Sequence, residues 1–111
     1  MPNEPYRLFL DDIRNPYIRG DIEIVICRDY QSAVETVKTR GIPQEIDFDN
    51  DLGLLSEGDG RDFAKWLCAY MIDNEKKWPP DFKYFVHTGN PVAGRFINDY
   101  MAIITELDIL K

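Results

Sequence analysis

What most constrains this chain is the order in which two periodicities alternate along it. Four short runs carry strand-forming residues, at 7–10, 22–27, 45–49 and 82–87, each rich in β-branched or aromatic side chains and each stopped by turn residues. Three segments carry a helical stripe instead. Tyr30, Ala33, Val34 and Val37 form the first, with Asp29 placed to cap its start and Gly41 its end. Phe63, Trp66, Leu67, Tyr70 and Met71 form the second. Ala93, Phe96, Ile97, Tyr100, Met101 and Ile104 form the third, opened by Asn90 as cap and Pro91 at the first helical position. The resulting order, β, β, α, β, α, β, α, predicts a mainly parallel four-stranded α/β sheet with three main helices packed on it.

One connection breaks the alternation. Roughly a dozen residues separate the first two strands, close to the minimum for a parallel crossover. They contain Asn15, Pro16 and Gly20 and no helical stripe, so an irregular loop or a single turn is expected and a first helix is missing or reduced. One sheet face is then thinly covered, and the acids Glu45, Asp47 and Asp49 alternating along the third strand fit a partly solvated face. Residues 54–60, Leu-Leu-Ser-Glu-Gly-Asp-Gly, read as a mobile loop. Trp78, Pro79 and Pro80 read as a rigid packing loop, and the aromatic and Met positions of the stripes as core.

The length of 111 residues fits one domain over residues 1–111. The net charge of −7, without a lysine or arginine cluster, argues against a grip on duplex DNA, which needs many cationic phosphate contacts. A small anionic ligand remains compatible if a cation or a few local basic groups offset the field. No apolar run approaches a membrane span, and Met1-Pro2-Asn3-Glu4 lacks the features of a signal peptide, so a cytoplasmic protein is expected. Cys27 and Cys68 stand apart in apolar settings; with one histidine in the chain they do not make a zinc site and read as buried reduced thiols.

In open α/β sheets ligands bind beyond the carboxyl ends of the strands. That edge would carry Asp11 and Asp12 after the first strand, Asp49 and Asp51 after the third, and His87 and Thr88 after the fourth. They converge if those three strands are neighbours. Two carboxylates about 4 Å apart repel by roughly 4 kcal/mol at an effective dielectric near 20, so either a cation sits among them or one stays protonated. A hard, oxygen-only cluster suits Mg²⁺, Mn²⁺ or Ca²⁺. Asp49, Asp51 and Gly53 echo a calcium loop, but Arg61 and Asp62 stand where its closing glutamate belongs, which excludes an EF-hand. Aspartates after strands commonly just close turns or cap helices; pairs of polar residues at three strand ends favour a site. His87 could serve as acid, base or phosphate contact, and Arg14 as a phosphate clamp or an exposed charge.

An acidic pair after the first strand, an acid after the third and a hydroxyl after the fourth resemble the receiver domains of response regulators, a flavodoxin-like fold. The chain departs from them in its missing first helix and in lacking a fifth strand that ends in lysine. It is more similar to the cyclic-phosphate processing receiver domain family. The segments that carry this resemblance are Leu8-Phe9-Leu10-Asp11-Asp12-Ile13-Arg14-Asn15-Pro16 and Ile46-Asp47-Phe48-Asp49-Asn50-Asp51-Leu52-Gly53. Gly60-Arg61-Asp62-Phe63-Ala64-Lys65-Trp66-Leu67 and Val86-His87-Thr88-Gly89-Asn90-Pro91-Val92 follow in order.

Members of that family are small bacterial and phage proteins, and the activity inferred for them is hydrolysis of cyclic nucleotides or of RNA-end 2′,3′-cyclic phosphates. The resemblance therefore implies a metal-dependent hydrolase using Mg²⁺ or Mn²⁺. Asp11, Asp12, Asp49 and Asp51 would be metal ligands, Asp49, Asp51 and His87 catalytic groups, and Arg14, Thr88 and Asn90 substrate contacts. The third-strand motif of the family usually reads Asp-His-Asp, and Asn50 stands here in place of the histidine. The alternative is a non-catalytic receiver-like module that binds a nucleotide, a phosphate ligand or a protein partner.

Overall fold

The computed structural model describes residues 5–16, 20–53 and 56–110, with side chains as far as Glu106. The strands are β1 (Tyr6–Leu10), β2 (Glu23–Cys27), β3 (Glu45–Phe48) and β4 (Lys83–Val86); the helices are α1 (Tyr30–Arg40), α2 (Gly60–Asp73) and α3 (Pro91–Leu110). The four strands form one sheet in the order β2-β1-β3-β4, with every neighbouring pair parallel. This is the expected receiver-like arrangement, and β1, β3 and β4 are adjacent as convergence of the site required. Among the described residues no helix joins β1 to β2.

Strand alternation sorts the side chains into two faces. Tyr6, Leu8 and Leu10 share one face with Ile46 and Phe48, all at most 1% exposed. Ala33 and Val37 of α1, Phe63, Ala64 and Leu67 of α2, and Ile97, Met101 and Ile104 of α3 join them in a single core. All three helices therefore pack on the same side of the sheet. Trp78 seals one edge of this core by stacking on Phe82 at 4.1 Å, so the Trp78-Pro79-Pro80 segment packs as its composition predicted. Cys27 and Cys68 are both buried free thiols, and burial pushes Cys68 up to about 11.

The other face carries Arg7, Phe9, Asp47 and Phe85, and its polarity needs a correction. The alternating acids suggested a partly solvated face, yet Asp47 is 1% exposed and Arg7 3%. Arg7 Nε donates to Asp47 Oδ2 at 2.6 Å, so the acid on this face is buried as half of an ion pair. A buried carboxylate without such a partner would be strongly disfavoured.

Local chemistry sets the helix starts. Asp29 and Ser32 form a capping box at α1, and Asp59 and Asp62 do the same at α2. At α3, Asn90 Oδ1 accepts from the amides of Val92 and Ala93, both at 3.1 Å. The segment expected to be a mobile loop is anchored where it is described. Tyr30 N donates to Ser56 Oγ at 2.8 Å, Glu57 N donates to Gln31 Oε1 at 2.9 Å, and Gly60 already belongs to α2. Residues 54–55 of that expectation lie outside the described residues.

Candidate functional site

The parallel pairing continues one residue beyond the carboxyl ends of the strands. Asp11 N donates to Cys27 O at 3.1 Å, Asp49 N to Leu10 O at 2.9 Å and His87 N to Phe48 O at 2.7 Å. The register that opposes Leu10 to Phe48 and Phe48 to Val86 thus places Asp11, Asp49 and His87 in the next row across three adjacent strands. Neighbouring strands lie about 4.8 Å apart, so the row is compact. The fold brings these three residues together although they are far apart in sequence.

The carboxylates of Asp11, Asp12 and Asp49 each offer an oxygen, and these oxygens all lie within 4.8 Å of one another. Asp11 is 2% exposed and Asp49 6%. Asp11 Oδ1 accepts from the amides of Ile13 at 3.1 Å and Arg14 at 2.9 Å, which fixes its carboxylate by the turn that follows β1. Asp49 Oδ1 accepts from the Asn50 amide at 2.9 Å. Burial first, and then the charge of Asp11, push the Asp49 carboxyl up to about 6, against the opposing pull of the Asn50 amide and of Arg14.

Backbone packing holds this arrangement. A Cβ on Gly60 would lie 2.1 Å from Asp49 O, so only glycine lets the first turn of α2 close onto the loop after β3. Gly60 N donates to Asn50 O at 2.9 Å across that contact. Gly53 has φ +81, a left-handed conformation that suits glycine, and a Cβ there would sit 3.7 Å from Asp12 Oδ2.

The remaining expected site residues surround the cluster in different ways. Arg14 is half exposed, with Nε 3.5 Å from Asp11 Oδ2, so its guanidinium flanks the carboxylates. Asp51 is exposed and falls outside the three-carboxylate group; its Oδ1 accepts from Asn50 Nδ2 at 3.4 Å. Thr88 Oγ1 accepts from the Asn90 amide at 3.2 Å, and Asn90 caps α3, so both shape the loop beyond β4. Asn50 is 2% exposed, and its Oδ1 accepts from Arg61 N in the first turn of α2 at 3.3 Å. Asn50 is thus enclosed between β3 and α2.

Two contributors were not singled out from sequence. Asp47 Oδ1 lies 3.0 Å from His87 Nε2 while its other oxygen takes Arg7. Arg28, after β2, bonds Asp11 O at 3.2 Å and Asn15 Oδ1 at 2.7 Å, tying down the loop that carries Asp11 and Asp12. The sequence signal for the first was an acid and an arginine on what became facing strands, which is readable only once β1 is known to pair with β3.

Three acidic oxygen donors at this separation, one of them with its carboxyl pushed up to about 6 by burial and by Asp11, suit a hard divalent cation, which would relieve the repulsion. The fit concerns Asp11, Asp12 and Asp49.

A match to a known protein family covers most of the chain. The sequence model described as "Cyclic-phosphate processing Receiver domain" matches residues 6–102, which span all four strands and most of α3. No curated protein matches the chain at a significant level.

Proposed function

From the premise that this chain belongs to the cyclic-phosphate processing receiver domain family, we propose that it is a metal-dependent hydrolase that opens cyclic phosphates on nucleotides or RNA ends. The observation that carries the reading is the row of Asp11, Asp49 and His87 on three adjacent strand ends, with Asp12 completing a carboxylate cluster beside an imidazole. A divalent cation held by Asp11, Asp12 and Asp49 would supply Lewis-acid polarisation of the phosphoryl group and a more acidic water.

The chain's own residues account for the rest. Arg14, flanking the cluster with an exposed guanidinium, binds a phosphoryl oxygen and orients the ring. Water attacks phosphorus as one ring P–O bond breaks. Asp51, exposed in the loop after β3 and outside the cluster, accepts the proton that the water loses. His87, whose ring is half exposed, gives its proton to the departing ring oxygen. The product is a phosphomonoester next to a free hydroxyl. Thr88 and Asn90 keep the loop after β4 in the shape that presents the imidazole and offer further polar contacts to the sugar-phosphate.

The test is phosphorus NMR of the protein with 2′,3′- and 3′,5′-cyclic nucleotides, in Mg²⁺ or Mn²⁺ and then in chelator. The expected result is opening of one ring type that stops with chelator, is lost in Asp11→Asn, and falls by about 100-fold or more in His87→Gln. Cation-dependent binding with the ring left intact would replace the hydrolase by a nucleotide-binding module.

A further inference from the structure

We infer that the buried Arg7–Asp47 pair positions His87, gripping the ring through Nε2–H and leaving Nδ1 as the nitrogen turned away from Asp47. The inference deepens the hydrolase reading and rests on it for its functional meaning, but its geometry stands without it.

Among the described residues Asp47 meets two partners, one at each oxygen. Oδ2 accepts from Arg7 Nε at 2.6 Å, and Oδ1 lies 3.0 Å from His87 Nε2. Asp47 is 1% exposed and forms an ion pair with Arg7, and the carboxylate of such a pair accepts hydrogen bonds and does not donate them. The contact to His87 therefore requires the proton on Nε2. In the neutral ring that fixes the tautomer and leaves Nδ1 bare; in the protonated ring Nδ1–H is the donor pointed away from Asp47.

The ring plane is held independently. Phe85, two residues back on the same strand face, stacks on the imidazole with centroids 6.3 Å apart and planes within 18°. Arg7 is itself set over the Phe9 ring at 5.7 Å. These residues all belong to the sheet face opposite the helices, so the order of the buried pair reaches an imidazole whose side chain is 48% exposed. A solvent-exposed histidine ordinarily rotates and exchanges tautomers; one clamped at Nε2 and stacked on a ring keeps one orientation. Its charge complement is built in at Asp47 and need not come from the ligand.

The chain contains one histidine, so an imidazole nitrogen spectrum has a single assignment. In ¹⁵N-labelled protein without ligand or metal, held at about pH 8.5 where an ordinary histidine is neutral, we expect one tautomer. Nε2 should carry the proton and Nδ1 the bare-nitrogen shift, with a slowly exchanging Hε2 resonance. The double variant Arg7→Met with Asp47→Leu removes both charges of the pair together, where a single substitution would leave the other uncompensated. It should lose the Hε2 resonance and shift both nitrogens towards a mixture, with the backbone spectrum of the sheet retained. A wild-type ring that is protonated on Nδ1, or that averages freely between tautomers, overturns the inference; this reading of the wild type decides it even if the double variant fails to fold. Ring opening of cyclic nucleotides is read separately by phosphorus NMR, so a failed hydrolase and a failed clamp give different results.

Discussion

At the scale of single residues, the site is held at a cost to stability. Asp49 has a folded-state carboxyl near 6, above the ordinary aspartate value of 3.8. The folded protein therefore binds a proton more readily than the unfolded chain between those values, and stability is lost as pH rises from about 4 through 6. After allowance for solvent screening, the cost at neutral pH is on the order of 1 kcal/mol. Asp49→Asn should raise the melting temperature of the metal-free protein by a few degrees at pH 7, and the gain should vanish below about pH 4. Adding Mg²⁺ should stabilise the wild type and leave this variant unmoved; thermal denaturation across pH, with and without the cation, checks both. The aspartates themselves were legible in sequence because strand ends announce themselves by composition. Which of them meet was not. Asp51 and Asp49 are two positions apart, yet one is exposed and the other buried, a difference set by how the loop turns onto α2. Asn50 read as a replaced histidine, and its burial and its bond to the Arg61 amide give it a packing role that sequence could not reveal.

At the scale of elements, the start of α2 is where fold and site share atoms. Gly60→Ala would drive a methyl into Asp49 O, with 2.1 Å between them before any shift. The expected cost is about 1–3 kcal/mol, together with weaker Mg²⁺ binding, because the displaced backbone is the one that carries Asp49; chemical denaturation and cation titration report the two effects. Asp59→Ala, which removes the cap of the same helix, should cost about 1 kcal/mol with a smaller effect on the cation, since Asp59 contacts α2 and not the carboxylates. Comparing the two variants separates loss of helix from loss of close approach. The helices were readable from their stripes and caps; Asp29 and Asn90 do what their positions predicted. The loop before α2 is tied down, where it is described, at positions whose glycines and serine suggested freedom. Those residues instead serve as acceptors and close contacts: Ser56 receives the Tyr30 amide, and Gly58 leaves room for the Tyr30 ring and Asp62.

At the scale of the whole molecule, the sheet order makes β1 and β3 interior strands and β2 and β4 edges. Amides of β1 and β3 should exchange with solvent most slowly and β2 earliest among the strands, which hydrogen exchange by NMR can rank. The same order has a kinetic side. β1 is made first in the chain yet is flanked by strands that come later, and its link to β3 joins residues such as Arg7 and Asp47, 40 positions apart. The three carboxylates therefore meet only after that long closure is complete. If the closure is the last step over the barrier, the cluster's mutual repulsion is absent from the climb and felt only on arrival. Mg²⁺ should then slow the escape from the native basin while leaving the rate of entry unchanged, so that the cation acts as a latch on a finished structure and never as a template for its assembly.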